Sequence, residues 1–427
     1  MYELHIHAPK VCSKGVAFYL LLRESTDKEL RERCFQRVRM LYGDVLPDEI
    51  KDRVEKELNC LSATNSDTLF LALSNVFRNT GWNDAEIYAE GCLGNSFLAY
   101  LLGINGGVNP LRPHYRCQCG KFADFKIQKE VRLWCDLPDR RCPICGSRLI
   151  RDGYGLDDRF FYGARGDKEP YISYGIARQR LDGIRSAFGM EDRIRNFEEC
   201  GLEEIYGVWD NGNFLMSSIL GEGQSPLRKI TCDFIISRER LTKIEIPFEH
   251  IAELLAESWK RTGVCPHEIP LDDPQTEHAI QNGEGLDILR KISPEQVYPE
   301  SFKIHHFYDL VRFIALCRGA NIWTGEIEEL IKNGIITQSD VPCSRDELLE
   351  RLLRAGVDDR RAFQCAERVR KGTGLLAEQE EELRLCGVPE WFIRLCMNVE
   401  YLAPLADSIS YAGMIWRLQY YTIHYPG

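Results

Sequence analysis

The chain has no apolar run near the roughly 18 residues that a membrane-spanning helix requires. It has no low-complexity tail and no clear internal repeat. It also lacks an excess of basic charge: Asp and Glu outnumber Lys and Arg by 65 to 54, a net charge of −11. Proteins built mainly to hold duplex DNA run basic, because neutralising phosphates dominates that affinity. The acidity argues against a free-standing DNA binder while leaving room for a local basic groove. The apolar stretch GVAFYLLL, Gly15 to Leu22, runs into RESTDKE without the small-residue cleavage site of a signal peptide. A disulfide framework is missing too. The 17 cysteines are odd in number and scattered, which suits a reduced, intracellular compartment. The expectation is a soluble cytoplasmic protein with no membrane partner. At 427 residues, two to four domains can bury cores without staples.

What is present begins with amphipathic helices. Leu30, Cys34, Val38 and Leu41 recur at helical spacing; Pro47 interrupts; Ile50, Val54, Leu58 and Leu61 resume the pattern. DTLFLALSNVFRNTGWND predicts a helix ending near Gly81. IYAEGCLGNSFLAYLLGI reads as a strand, a glycine turn and a helix start. Gly91 and Gly94 free backbone amides to approach a ligand, and Ser96 sits at the helix mouth, a plausible phosphate cradle; a plain structural turn is the simpler reading. Short strands and loops follow over residues 166–250, and the chain turns helical from about 251. Ser344 and Glu347 form a capping box with a stop at Gly356, and TGEIEELIKNG also ends on glycine.

Cys117 and Cys119 precede Cys142 and Cys145, each pair followed by glycine, which is the pattern of a structural zinc ribbon. The first pair has only one residue between its cysteines, and Cys135 is a spare ligand; four ordinary thiols are the plainer alternative. His5 and His7 alternate along an expected N-terminal strand and would serve a metal only with ligands from elsewhere. His305 and His306, if helical, would diverge by about 100°. Asp157, Asp158, Asp167 and Glu169 read as solvated turn residues. Asp233 and Glu245 fall inside a predicted strand hairpin, ITCDFIISRERLTKIEIPFEH, where a carboxylate is harder to dismiss.

The phrases NPLRPHYRCQCG, DLPDRRCPICGSRLIRDGYGLDDRFFYGARGDKEP, IPLDDP, RKGTGL, VPEWFI and YYTIHYPG occur in this order. Together they resemble the PolC-type alpha subunit of bacterial DNA polymerase III, a C-family replicative enzyme, with gaps from about residue 28 to the end. The resemblance implies an α+β fold: a polymerase-beta-like nucleotidyltransferase palm with a zinc-ribbon insertion, followed by α-helical fingers. The implied parts are a remnant of a histidinol-phosphatase-like (PHP) strand and linker at 1–24, palm at 25–116 and 151–250, zinc module at 117–150 and fingers at 251–427. The family's remaining PHP domain, exonuclease, N-terminal nucleic-acid-binding module and everything beyond the fingers have no counterpart, so a truncated form is expected.

The family's chemistry uses three aspartates to hold two divalent ions about 4 Å apart. Two of them lie in Pro-Asp-Ile-Asp after GDK; here the stretch is Pro170-Tyr171-Ile172-Ser173. The third aligns with Glu245. Glu90 stands where the family has an arginine for the triphosphate, and Leu405 and Asp407 replace a lysine and a histidine. Between about Asn196 and Leu227 the chain is shorter than the family. Gly91, Gly94, Ser96, Arg370, Lys371, Pro404 and Tyr411 are retained, which implies nucleotide or phosphate contacts at the glycines, Ser96, Arg370, Lys371 and Tyr411. The expectation is a degenerate subunit that has lost nucleotidyl transfer. It would keep a structural Zn2+, use Mg2+ only if active, and contact primer–template DNA, dNTP and replication proteins weakly. The alternatives are an active DNA-directed DNA polymerase using displaced carboxylates such as Asp167, Glu169, Asp233 and Glu245, and a non-catalytic partner-binding protein or decaying gene product.

Overall fold

Apolar residues at helical spacing become the buried faces of three helices near the start of the chain. The computed structural model describes residues 15–22, 27–80, 87–126, 131, 133–177, 180, 203–210, 213–218, 242–247, 250–284, 299 and 301–426. His5, His7, Asp233 and the first strand of the expected hairpin lie outside the described residues. Helices α1 (Asp27–Tyr42), α2 (Asp48–Ala63) and α3 (Asp67–Thr80) follow the predicted order. Leu30, Cys34, Val38, Ile50, Val54, Leu58 and Leu61 are buried between them. Leu41 is only partly buried, and its neighbour Tyr42 takes the inward position. Pro47 occupies the N-cap of α2, where its missing N–H costs nothing.

The architecture is helix-rich with two small sheets. The larger has six strands in the order β2-β6-β9-β1-β7-β8. Its members are β1 (Gly15–Leu22), β2 (Tyr88–Ala89), β6 (Ile172–Gly175), β7 (Glu203–Asp210), β8 (Asn213–Ser218) and β9 (Thr242–Pro247). The sequence draws a boundary at 24, yet β1 pairs antiparallel with β9 and parallel with β7, inside the same sheet. The smaller sheet has the order β4-β3-β5, from Ala123–Asp124, His114–Arg116 and Ile150–Asp152. Of two short helices, α4 (Phe97–Leu101) packs against α1 and α2, and α5 (Arg159–Tyr162) against the turn at 93–95.

From 250 onward the described chain is helical: α6 (His250–Thr262), α7 (Pro274–Gln281), α8 (Phe307–Arg318), α9 (Gly325–Lys332), α10 (Arg345–Arg354), α11 (Asp359–Val369), α12 (Ala377–Leu385), α13 (Glu390–Asn398) and α14 (Leu405–His424). Ser344 caps α10 by accepting from the Glu347 amide at 3.2 Å, and Gly356 ends it at φ +85°. The Glu347 carboxylate turns to the Cys343 amide at 2.7 Å and to Arg312 at 3.0 Å, so the expected box is shifted by one residue. His305 and His306 precede α8 rather than lying on it; His306 is its N-cap. Helix α14 is buried on nearly every side and packs against α8, α6, α7 and β2, which makes it the pillar joining the C-terminal helices to the large sheet. No described helix is long and apolar enough to cross a membrane.

Candidate active site and cysteine tetrad

Strand β6 enters its sheet from the charged turn at Arg165–Glu169. Pro170 is buried, Tyr171 is half exposed, and Ile172 and Ser173 carry no exposure. β6 runs antiparallel to β2 and parallel to β9, in a register that pairs Ser173 with Glu245. Two positions about seventy residues apart in sequence, Ser173 and Glu245, are thus backbone neighbours. Glu90 joins them. Its amide donates to the Ser173 carbonyl at 3.0 Å, and the Ser173 hydroxyl donates to its carboxylate. Asp167 and Glu169 stay on the exposed turn.

The glycine turn after β2 divides its work among three residues. Gly91 adopts φ +73°, a left-handed conformation that a side chain would strain, and nothing lies within 4 Å of a would-be Cβ. Gly94 is needed for space: a Cβ there would lie 2.8 Å from Ala406 Cβ. Ser96 is fully buried and caps α4 by accepting from Ala99 at 3.1 Å. The mouth of α4 is already filled from within. Glu57 accepts from the amides of Phe97 and Leu98, both at 3.0 Å, and from Ser96 and Tyr162 hydroxyls. Arg53 pairs with it at 2.5 Å and reaches the Asn95 carbonyl. A buried carboxylate at the positive end of a helix is the anion such an end favours. Sequence reasoning missed Glu57, although it falls three residues after Val54 on the apolar face of α2, an acid in a buried stripe.

The Gly91 amide is also taken. It donates to Asp407 Oδ1 at 2.9 Å, and the Tyr88 hydroxyl donates to the same oxygen. Burial pushes the Tyr88 hydroxyl well above its ordinary pKa, so it acts as a neutral donor. Asp407 Oδ2 meets Arg318 Nε at 3.3 Å. Tyr411 is buried, edge-on to Tyr88 with ring centres 5.4 Å apart.

Arg370 and Lys371 meet one carboxylate. Arg370 forks onto Glu367 at 2.6 and 3.0 Å, and Lys371 approaches the same carboxylate at 4.0 Å. Arg345, 1% exposed, donates to Cys92 Sγ at 2.9 Å and lies 3.9 Å from Glu367. Burial works to raise the Glu367 pKa, but the Arg370 hydrogen bonds and charge outweigh it, and the carboxyl sits below its ordinary value. Lys168 donates to the Phe160 carbonyl at 3.0 Å. The fold therefore gathers Cys92, Lys168, Arg345 and Arg370, of which the sequence singled out only the last.

The small sheet carries two facing turns. The Cys117 carbonyl accepts from the Gly120 amide at 3.0 Å, and the Cys142 carbonyl from the Gly146 amide at 2.9 Å; both glycines have positive φ. The ligand atoms of Cys117, Cys119, Cys142 and Cys145 all lie within 4.8 Å of one another, the group of that kind among the described residues. The Cys117–Cys145 and Cys119–Cys142 sulfur separations are 3.4 and 4.0 Å. A tetrahedron of thiolates about 2.3 Å from zinc has sulfurs about 3.8 Å apart, so the donor set fits. Hydrogen bonds from Ser147 and the Cys119 amide push Cys117 down to about 6, while the Cys117 sulfur pushes Cys119 up to about 12. Four thiolates repel; a divalent cation removes that conflict. Cys135 is not part of the tetrad.

Two family models match the chain. Residues 28–147 match the bacterial DNA polymerase III alpha NTPase domain, and residues 240–355 match the bacterial DNA polymerase III alpha subunit finger domain. The DNA polymerase III PolC-type of Thermotoga petrophila is 28% identical over 94% of this chain and 34% of its own length. That of Bacillus subtilis is 27% identical over 94% of this chain and 32% of its own length. The chain thus spans about a third of the length of the curated relatives it matches.

Proposed function

Because the chain is a homologue of the PolC-type DNA polymerase III alpha subunit, we propose that it is a member of the replicative lineage that has lost nucleotidyl transfer. The observation that carries this is the side-by-side placement of Ser173 and Glu245 on β6 and β9. The register supports the alignment of both positions with metal-holding aspartates, and Tyr171 and Ser173 bring only hydroxyls to that stretch. Two Mg2+ ions need several anionic oxygens shared between them. Tyr171 and Ser173 do not fit that requirement, and no catalytic step is assigned to this site. On this reading the six-stranded sheet with α1–α5 is the palm, the tetrad module is a zinc ribbon inserted in it, and the helices from α6 onward are the fingers.

Zinc would be held by Cys117, Cys119, Cys142 and Cys145 and would tie two turns together without entering chemistry. Primer–template DNA and dNTP remain the ligand classes of the lineage, held weakly because Arg370 and Lys371 already answer to Glu367. A replication-protein partner and a reduced cytoplasmic setting belong to the same reading. A second reading is favoured by one contact. Glu90 brings a carboxylate onto Ser173, beside Glu245, so an active polymerase with relocated acids would use that pair. Primer extension with magnesium or manganese and all four dNTPs separates them. No incorporation above a Glu245→Ala control is expected; incorporation above that control, lost in Glu90→Gln, would establish the second reading.

A further inference from the structure

We infer that Asp407 is an internal plug of the glycine turn, its carboxylate standing where an incoming phosphoryl group would be held. The inference rests on the reading that nucleotidyl transfer is lost, and adds a cause for it beyond the missing aspartates. Every oxygen of the carboxylate is engaged. Oδ1 accepts from the Gly91 amide at 2.9 Å and from the Tyr88 hydroxyl, and Oδ2 faces Arg318 at 3.3 Å. A backbone N–H, a hydroxyl and a guanidinium are the donor types that hold phosphate. Here they hold an acid of the chain itself, 5% exposed.

The plug is delivered by the first turn of α14 and fixed there. Asp346 accepts from the Leu405 amide at 3.0 Å, and Ser410 accepts from the Ala89 amide at 3.3 Å. Ala406 fills the space beside Gly94. Arg318 lies over the rings of Tyr88 and Tyr411, 5.0 and 4.9 Å from their centres. A phosphate would have to displace a group of its own sign tethered at high effective concentration, and would meet Glu90 on the same turn.

The test is calorimetric titration of the full chain with inorganic tripolyphosphate at low salt. The samples are the unaltered chain, Asp407→Asn, Asp407→Ala and Asp346→Asn. Both Asp407 variants are expected to bind at least tenfold more tightly than the unaltered chain, about 1.4 kcal/mol, and Asp346→Asn, whose amide oxygen can still accept from Leu405, to fall well short of that gain. The near-isosteric Asn variant decides the matter if the Ala variant fails to fold. Two results overturn the plug: no gain in folded Asp407→Asn, or an equal gain in Asp346→Asn, which would mark general loosening of α14. Primer extension by the unaltered chain is read separately. Incorporation there removes the reading of lost transfer, whereas the tripolyphosphate result bears on binding alone.

Discussion

Glu57 has no exposure and satisfies itself with two amides, two hydroxyls and Arg53. Removing one partner of a buried ion pair leaves the other charge uncompensated, at about 3–5 kcal/mol. Glu57→Gln should therefore lower the unfolding free energy measured in urea by that order, and the loss should shrink when Arg53→Met is added. His114 works in the opposite sense with pH. It stacks on Phe125 and binds the Tyr42 hydroxyl at 3.0 Å and the Arg112 carbonyl at 2.8 Å. Burial holds its pKa below the ordinary value. Its folded pKa lies under the unfolded one, so the unfolded chain takes the proton first. Stability should fall as pH drops below about 6.5, and thermal melts of His114→Asn should lose part of that slope. Residues such as these were half legible in the sequence. Glu57 showed as an acid on an apolar face, but nothing local announced that the amides of α4 would meet it, because α2 and α4 are brought together only by packing.

Elements were legible in proportion to their amphipathicity. α1 and α2 follow their apolar spacing and α10 its cap, since one face of each meets solvent. α14 does not, because it is buried all round and its pattern has no polar side to mark it. Its docking on the glycine turn depends on Gly94. Gly94→Ala should cost about 1–3 kcal/mol by overpacking, and adding Ala406→Gly should recover much of it, a coupling that a double-mutant cycle in denaturant would read. The tetrad was legible because cysteine spacing carries its geometry. Metal analysis should find close to one zinc per chain, and Cys142→Ser should lower both zinc content and thermal stability. A value well under one zinc in the unaltered chain would remove the ribbon.

Across the whole molecule, a net charge of −11 sets the background against which any DNA contact must work. Glu367 is the local expression of that background, since it draws in Arg345, Arg370 and Lys371 together. Glu367→Gln should raise affinity for primer–template DNA several-fold at low salt and steepen its decline with salt, as freed cations reach phosphates. Fluorescence anisotropy would measure both. An unchanged salt slope would mean that this basic cluster does not face the nucleic acid.

The placement of β1 has a consequence for synthesis. Residues 15–22 leave the ribosome well before the rest of their sheet, since one neighbour, β9, spans residues 242–247. At a translation rate of about 5–20 residues per second, roughly ten seconds or more separate the two. Throughout that interval an apolar segment has no antiparallel neighbour, and the strand order of the sheet makes this unavoidable. Slowing translation over residues 23–241 should therefore lower soluble yield more than slowing it beyond residue 247.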